Sequence, residues 1–523
     1  MKTFETINEK ITSGIHLSYW VDSARPLSYK TLGGDLQTDV LIIGGGIAGL
    51  TTAYCLSKSG KKVVLLEDGC LGSGETGRTT AQITYALDDR YYDLERYYGT
   101  EKTKLVAQSH KQALDWIEKT VHDNNIDCNF KRADGYLFLD PSDKVENLGR
   151  EFVTTQNIGL PTSFLSYVPG FANDDKECIR FPEQGQFHIL RYLKGLADAV
   201  TDLGGEIYTG SRATDINKNG ATANGFTITA NHIVVATNTP VNDILTMHSK
   251  QFAYRTYVIG AKIPKGTLPY AMWWDTGNQE SKWVAKPYHY VRLEPLDNDY
   301  DLLISGGEDH KTGQADEEHI PEEDRYQNLT AWTKQHFPYF EDIEYKWSGQ
   351  VMEPVDCLAF IGKNPGDDNI YIITGDSGNG MTHGTIGGLL LNDIILGNKN
   401  PWEEVYDPAR ITLKTAGDFL SEAGNMAYNM VKDWVSGSDV DNAEELKAGE
   451  GAIISSGLSK IAAYRDDKGT LHTCSAVCPH LGGVLQWNKD ERSFDCPLHG
   501  SRFTTDGVVV NGPAISDLKK IDL

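Results

Sequence analysis

From Asp39 to Leu66 the hydrophobic pattern changes period twice. Val40 to Ile43 is continuously apolar, as a strand covered on both faces requires. Ile47 to Ser59 is helix-compatible, and Lys62 to Leu66 is apolar again. Strand, glycine turn, helix and strand predict a βαβ unit. Helical periodicity returns from Lys102 to His122 and from Ile189 to Leu203, with hairpin-like alternation from Asn129 to Leu139 between them. Short strand-like runs dominate from Ile207 to Ser305, some rich in aromatics, such as Tyr288-His289-Tyr290-Val291-Arg292. They predict an antiparallel sheet inserted into the first domain. The strand-like run Ile370 to Thr374 and the helix-like run His383 to Leu396 then return the chain to that domain. Asp407 to Trp434 reads as a helical connector and Ser436 to Asp439 as a linker.

Length and charge narrow the picture. A chain of 523 residues exceeds one hydrophobic core, so two or three domains are expected. The net charge of −24 opposes binding to nucleic acid or anionic lipid, which relies on clustered Lys and Arg. The charged N-terminus does not read as a signal peptide, and the best apolar stretch, Leu389 to Leu396, is too short for a membrane helix. A soluble, cytoplasmic protein without membrane insertion is expected. Cys55, Cys70, Cys128, Cys178 and Cys357 are scattered, whereas Cys474, Cys478 and Cys496 cluster. That distribution predicts reduced thiols and one metal site rather than a disulfide framework. Cys474 lies outside both ligand motifs and reads as a packing residue.

The turn Gly44-Gly45-Gly46-Ile47-Ala48-Gly49 fits G-x-G-x-x-G, following a strand and opening a helix. Such glycines allow a tight turn and close approach of a pyrophosphate to the helix N-terminus. Glu67 ends the second strand, where a carboxylate accepts hydrogen bonds from ribose hydroxyls. Strand, helix and acid in register mark a dinucleotide site.

The segment Gly72-Ser73-Gly74-Glu75-Thr76-Gly77-Arg78-Thr79-Thr80-Ala81 decides between dinucleotides. It resembles the second glycine-rich segment of the D-amino-acid oxidase, glycine oxidase and sarcosine oxidase superfamily. Ile233 to Asn238 is similar to that superfamily's later strand past the flavin, and Gly375 to Thr382 to its C-terminal flavin motif. The resemblance covers roughly residues 36 to 400 and is nearest to the gamma-glutamylputrescine-oxidase-like branch. It implies FAD, held by Gly44, Gly46, Ile47, Ala48, Gly49, Glu67, Arg78, Thr79, Thr80, Ala213, Thr237, Gly375, Gly380, Met381 and Thr382. It also implies an amine or amino-acid-like substrate. The helix end at Gly380 suits reduced flavin, whose charge gathers near N1. Two departures matter: the Lys that binds substrate carboxylate in sarcosine oxidases is matched by Thr382, and the nearest thiol, Cys357, lies past the position that attaches FAD covalently. Non-covalent FAD is expected.

Cys478-Pro479-His480 and Cys496-Pro497-Leu498-His499 form C-x-H and C-x-x-H on two loops. A Rieske cluster needs two thiolates on one iron and two imidazoles on the other. Zinc fingers pair their ligands as C-x-x-C and H-x-x-x-H instead. The flanking residues, Leu481-Gly482-Gly483 and Gly500-Ser501-Arg502-Phe503, resemble Rieske loops. Cys478, His480, Cys496 and His499 are the expected ligands of one [2Fe-2S] cluster. The resemblance places Gly483 and Leu498 where cytochrome-complex members carry a disulfide, and Phe503 where they carry a tyrosine. Ser501 matches their hydroxyl donor. With fewer hydrogen bonds to sulfur, a potential in the middle of the roughly −150 to +300 mV range follows.

The sequence therefore predicts an α/β FAD-binding Rossmann-type domain with an inserted α+β antiparallel substrate sheet, followed by an all-β Rieske domain. The expected boundaries are 1–405 for the flavin unit, 406–436 for the connector and 437–523 for the Rieske domain. Within the first, nucleotide-binding parts lie near 36–90, 190–240 and 345–400, and substrate-binding parts near 91–189 and 241–344. Tyr288, Tyr290 and Arg292 share a strand face and are the candidate pocket residues; Trp273 and Trp274 read as core. His289 and His383 lack partners for mononuclear iron, and His310 and His319 fall in a charged stretch read as a solvated face. No second nucleotide motif is visible, so an organic substrate is the expected reductant, with electrons passing from FAD to the cluster and on to an external acceptor. The alternatives are reversed flow from an external reductant and a Rieske domain that only docks.

Overall fold

The computed structural model describes residues 2–522 except 173–175, 243–246, 316–319, 413–415, 436–437, 441 and 458. His319 and the linker residues Ser436 and Gly437 lie outside the described residues.

The predicted βαβ unit is Leu36–Ile43, Ile47–Lys58 and Val63–Leu66. Its strands lie in a sheet ordered Phe360–Lys363, Ile370–Thr374, Phe226–Val235, Leu36–Ile43, Val63–Leu66, Glu206–Tyr208. All neighbours are parallel except the first pair. Burial on both faces explains the unbroken apolar runs. Helix Ile47–Lys58 crosses helix Gly380–Leu396 closely: a Cβ on Gly388 would stand 2.8 Å from the Thr52 backbone nitrogen. That approach brings two helix N-termini to one place. The second helix starts at Gly380, one turn before the periodicity shows it.

Among the described residues, the inserted sheet has nine strands, in the order Ile343–Pro354, Gln251–Pro264, Tyr300–Lys311, Tyr290–Pro295, Ala271–Asp275, Lys131–Phe138, Cys178–Gln186, Gln82–Ile83, with Ser163–Leu165 beside Cys178–Gln186. It is antiparallel apart from one pair, Ala271–Asp275 with Lys131–Phe138. The alternation from Asn129 to Leu139 is therefore a single strand and not a hairpin, because its partners come from distant sequence. His310 is buried and bonded to the Tyr257 hydroxyl at 2.9 Å, which corrects the solvated reading. Its strand runs on to Lys311, which is buried as well.

Helix Ala416–Val435 connects to two small antiparallel sheets, one of Gly451–Ser456, Ser459–Arg465 and Leu471–Ser475, the other of Gln486–Asn488, Ser493–Asp495, Arg502–Thr504 and Val509–Asn511. The connector is anchored to the inserted sheet by a buried pair, Lys311 with Glu422. Among the described residues, no helix is long and apolar enough to cross a membrane.

Candidate active site and iron-sulfur centre

The glycine turn, the Gly72 segment and the N-terminus of helix Gly380–Leu396 enclose a cavity of about 350 Å³. Gly44 has φ +109°, and a Cβ there would meet the Ala236 carbonyl at 2.3 Å. No other residue fits this turn. Glu67 is fixed by two backbone donors, from Gly45 at 2.6 Å and Gly69 at 2.8 Å. Burial raises its pKa, against those bonds. Neither Gly46 nor Asn379 caps its helix with a side chain. Both N-termini face the cavity, where a dinucleotide phosphate and an anionic ring would be received; at the first, the Ile47 N–H also donates to Thr76 Oγ1 at 3.3 Å.

Of the predicted cofactor residues, Gly44, Gly46, Ile47, Ala48, Glu67, Arg78, Thr79, Thr80, Ala213, Thr237, Gly380 and Met381 line this cavity. Gly49, Gly375 and Thr382 stand behind the wall: Gly49 packs on the Gly44 carbonyl, and Thr382 Oγ1 pairs with His110 Nδ1 at 2.8 Å. Arg78 turns its buried guanidinium away, to the Ser348 carbonyl, the His16 carbonyl at 3.1 Å and the Glu491 carboxylate.

Tyr288 and Tyr290 line the cavity, but Arg292 does not. Arg292 is fully buried, pairing with Glu294 and donating to the Ala81 carbonyl at 2.7 Å. Trp274, read as core from sequence, also lines the cavity, while Trp273 is core and donates to the Pro169 carbonyl at 2.7 Å. Sequence reasoning missed Asp88, Thr256, Asp309, Gln350 and Glu353, all in the wall. Burial pushes both Asp88 and Asp309 up to about 7, against hydrogen bonds from Tyr288 and Thr256 respectively. His289 bridges Asp275 at 2.8 Å and Glu308 at 3.2 Å; burial opposes its charge, but these acids outweigh it and raise its pKa to about 9.

The two cluster loops share one geometry. Cys478 N–H donates to the Gly483 carbonyl at 2.8 Å and Gly482 N–H to the Cys478 carbonyl at 3.0 Å; Cys496 N–H donates to Ser501 at 2.8 Å and Gly500 N–H to Cys496 at 3.1 Å. The loops face each other, with the His480 and His499 rings 4.9 Å apart and nearly perpendicular. A Cβ on Gly483 would lie 2.7 Å from the Leu498 side chain, so the positions matched to a bridging disulfide are adjacent without forming one. His499 Nδ1 is buried with no protein partner. Two converging thiols, two facing imidazoles and this orphaned nitrogen fit a two-iron cluster.

Cluster and cavity share a wall. Val509 to Asn511, Gly512, Ala514 and Ile515 line the dinucleotide cavity. Asn511 Nδ2 donates to Glu75 Oε1 at 2.9 Å, and Arg212 donates to the Ile515 carbonyl at 3.1 Å. The last strand of the Rieske domain, Val509–Asn511, therefore folds over the cavity. On the imidazole side, His248 of the flavin unit packs edge-on to His480 at 5.0 Å.

The fold and these two sites define a flavin-dependent oxidoreductase carrying its own Rieske centre. The FAD dependent oxidoreductase family model matches residues 39–394, and the Rieske [2Fe-2S] domain model matches residues 437–522. The chain belongs to the FAD dependent oxidoreductase family and carries a C-terminal Rieske [2Fe-2S] domain. It is 33% identical over 513 residues to YhfW of Bacillus subtilis strain 168, a protein named for a Rieske 2Fe-2S centre, covering 97% of each chain. It is 24% identical over 405 residues to gamma-glutamylputrescine oxidoreductase of Escherichia coli K12, covering 73% of this chain and 89% of that one. The glycine oxidase structure from Geobacillus kaustophilus superposes with a TM-score of 0.58 at 18% identity, over 72% of this chain and 99% of that one.

Proposed function

We propose that the chain oxidises an amine at FAD and passes the electrons through its own Rieske cluster to an external acceptor. The observation that carries this reading is one side chain. Gln350 lines the cofactor cavity and donates from Nε2 to the Gly500 carbonyl at 3.0 Å, one residue beyond the ligand His499. FAD, when bound, would supply two-electron oxidation of a carbon–nitrogen bond, and the cluster a one-electron relay. The protein's own groups have simpler tasks. Glu67 would receive the ribose, Thr76 to Thr80 and the two helix ends the phosphates and ring, and Cys478, His480, Cys496 and His499 the irons. The Gln350 bridge holds the cluster loop against the flavin wall, which shortens the distance electrons must cross. The net charge of −24 and scattered thiols favour a cytoplasmic setting.

Cys496→Ser tests the relay. Anaerobic amine should still bleach FAD in this variant, while reduction of a one-electron acceptor such as ferricyanide should fall at least tenfold. Full acceptor reduction without the cluster would leave the Rieske domain a docking module only. Reduction of the parent's cluster by an external donor ahead of the flavin would reverse the flow.

A further inference from the structure

Where the cavity reaches the inserted sheet, it is walled by Trp274, Tyr288 and Tyr290, and by the carboxylates of Asp88 and Asp309. Tyr290 OH pairs with Thr256 Oγ1 at 2.7 Å, which ties the ring to the Asp309 side. Asp309 Oδ1 is shielded from solvent and has no hydrogen-bond donor. A buried acceptor without a donor costs free energy that an incoming N–H group would recover.

The cationic side chains of the wall are committed elsewhere. Among the described lining residues they are Arg78 and Arg212, with His383 as the one imidazole. Arg78 is sequestered by Glu491 and two carbonyls, and Arg212 reaches Ile515 and Asp517 at the opposite, ribose end beside Asp68. His383 is kept neutral by burial, and its Nδ1 lies on the Asp376 carbonyl at 2.8 Å. A substrate carboxylate would meet two carboxylates here and no available positive charge. An ammonium group would meet the reverse: carboxylate acceptors and the aromatic side chains of Trp274, Tyr288 and Tyr290.

We infer that this end of the cavity is an organic-cation site, and that the substrate is an alkylamine without a carboxylate, received as its ammonium by Asp309 and Asp88 within the Trp274, Tyr288 and Tyr290 walls. The inference rests on the amine-oxidising reading and narrows it. Titration of Asp88 and Asp309 near 7 gives them a second use, as the acceptors of the proton that the ammonium must lose before it reacts.

The test uses the FAD-loaded full chain and tetramethylammonium chloride, an unreactive cation, at constant ionic strength. Binding is read from perturbation of the flavin absorbance. Saturable binding is expected, weakened at least tenfold in Asp309→Asn and largely restored in Asp309→Glu; sodium acetate should give no such signal. An acetate response without a tetramethylammonium response overturns the cation site. In parallel, n-butylamine and N-methylbutylamine are compared anaerobically with norvaline and N-methylnorvaline. Bleaching by the amines alone is expected. Bleaching by the amino acids alone overturns the inference and leaves amine oxidation standing. Tetramethylammonium binding with no bleaching by any compound sinks the oxidation reading while supporting the cation site.

Discussion

Arg255 Nη2 and Glu491 Oε1 meet 3.3 Å apart at the junction of the two domains, both almost completely buried. Arg78 approaches the same carboxylate, and the Ile15 N–H donates to its other oxygen at 2.8 Å. Burial disfavours the Glu491 charge, but the two guanidiniums win and hold its pKa far below the usual carboxylate range. The Rieske domain is thus seated by a buried charge network and not merely tethered by a linker.

Removing one member of such a network leaves the others buried and unpaired, at a cost of roughly 3–5 kcal/mol. Glu491→Gln should therefore lower the melting temperature and expose the connector, Ala416–Val435, to limited proteolysis. It should also speed FAD loss, because Val509 to Ile515 close the cavity. Unchanged FAD retention in a chain nicked at the connector would show that this wall contributes nothing.

Glu67→Gln keeps the size of the side chain but weakens its ribose hydrogen bonds, and charge-assisted bonds of this kind contribute about 1.5–3 kcal/mol. FAD affinity should drop by roughly ten- to hundredfold. The Rieske signal in electron paramagnetic resonance should persist, since the two loops are carried by Leu471–Ser475 with Gln486–Asn488 and by Ser493–Asp495 with Arg502–Thr504, and none of their Cys and His residues lines the cavity. Titration of apoprotein with FAD measures the first effect directly.

What could be read from sequence was local. The glycine turn, Glu67 and the C-x-H and C-x-x-H loops each need residues close together in the chain, so spacing alone reveals them. Asp88 and Asp309 were invisible because they meet only through the inserted sheet, and neither sits in a motif. Arg292 misled because strand alternation gives a face but not the reach of a long side chain, and its guanidinium turned back to Ala81 and Glu294. Glu491 resembled any surface acid in a polar turn; its burial depends on where the other domain lands.

The raised carboxyls also carry a stability signature. Asp88 faces Tyr288, Asp89, Arg90 and Asp309, while Asp309 faces Thr256, His289, Glu308 and Arg325. Each has an ordinary pKa of 3.8, raised to about 7 in the fold. Between those values the native state holds more protons than the unfolded chain, so stability falls as pH rises through that window. Asp309→Asn removes its share of this penalty. The variant's FAD-free melting temperature should match the parent near pH 4 and exceed it at pH 8. A variant equally or less stable than the parent at pH 8 would mean that Asp309 is not strained by burial.

The order of reduction gives the sharpest prediction, because the structure has already removed one step. A Rieske domain swinging on Ser436 to Asp439 would make cluster reduction wait for docking, and that step would slow in viscous solvent. Here Gln350 already holds Gly500, and Glu491 is already buried with Arg78 and Arg255. In anaerobic stopped flow an amine should bleach the flavin first and reduce the cluster second, with the second rate unchanged in about 30% glycerol. His499→Ala should abolish the second phase and leave the first. NADH should produce neither, since G-x-G-x-x-G joins a strand to an α-helix only at Gly44 to Gly49, and the second match, Gly72 to Gly77, lines the same cavity. A second phase that slows in proportion to viscosity would show that the seated arrangement opens in each turnover. Reduction of the cluster by NADH ahead of the flavin would overturn the direction of flow itself.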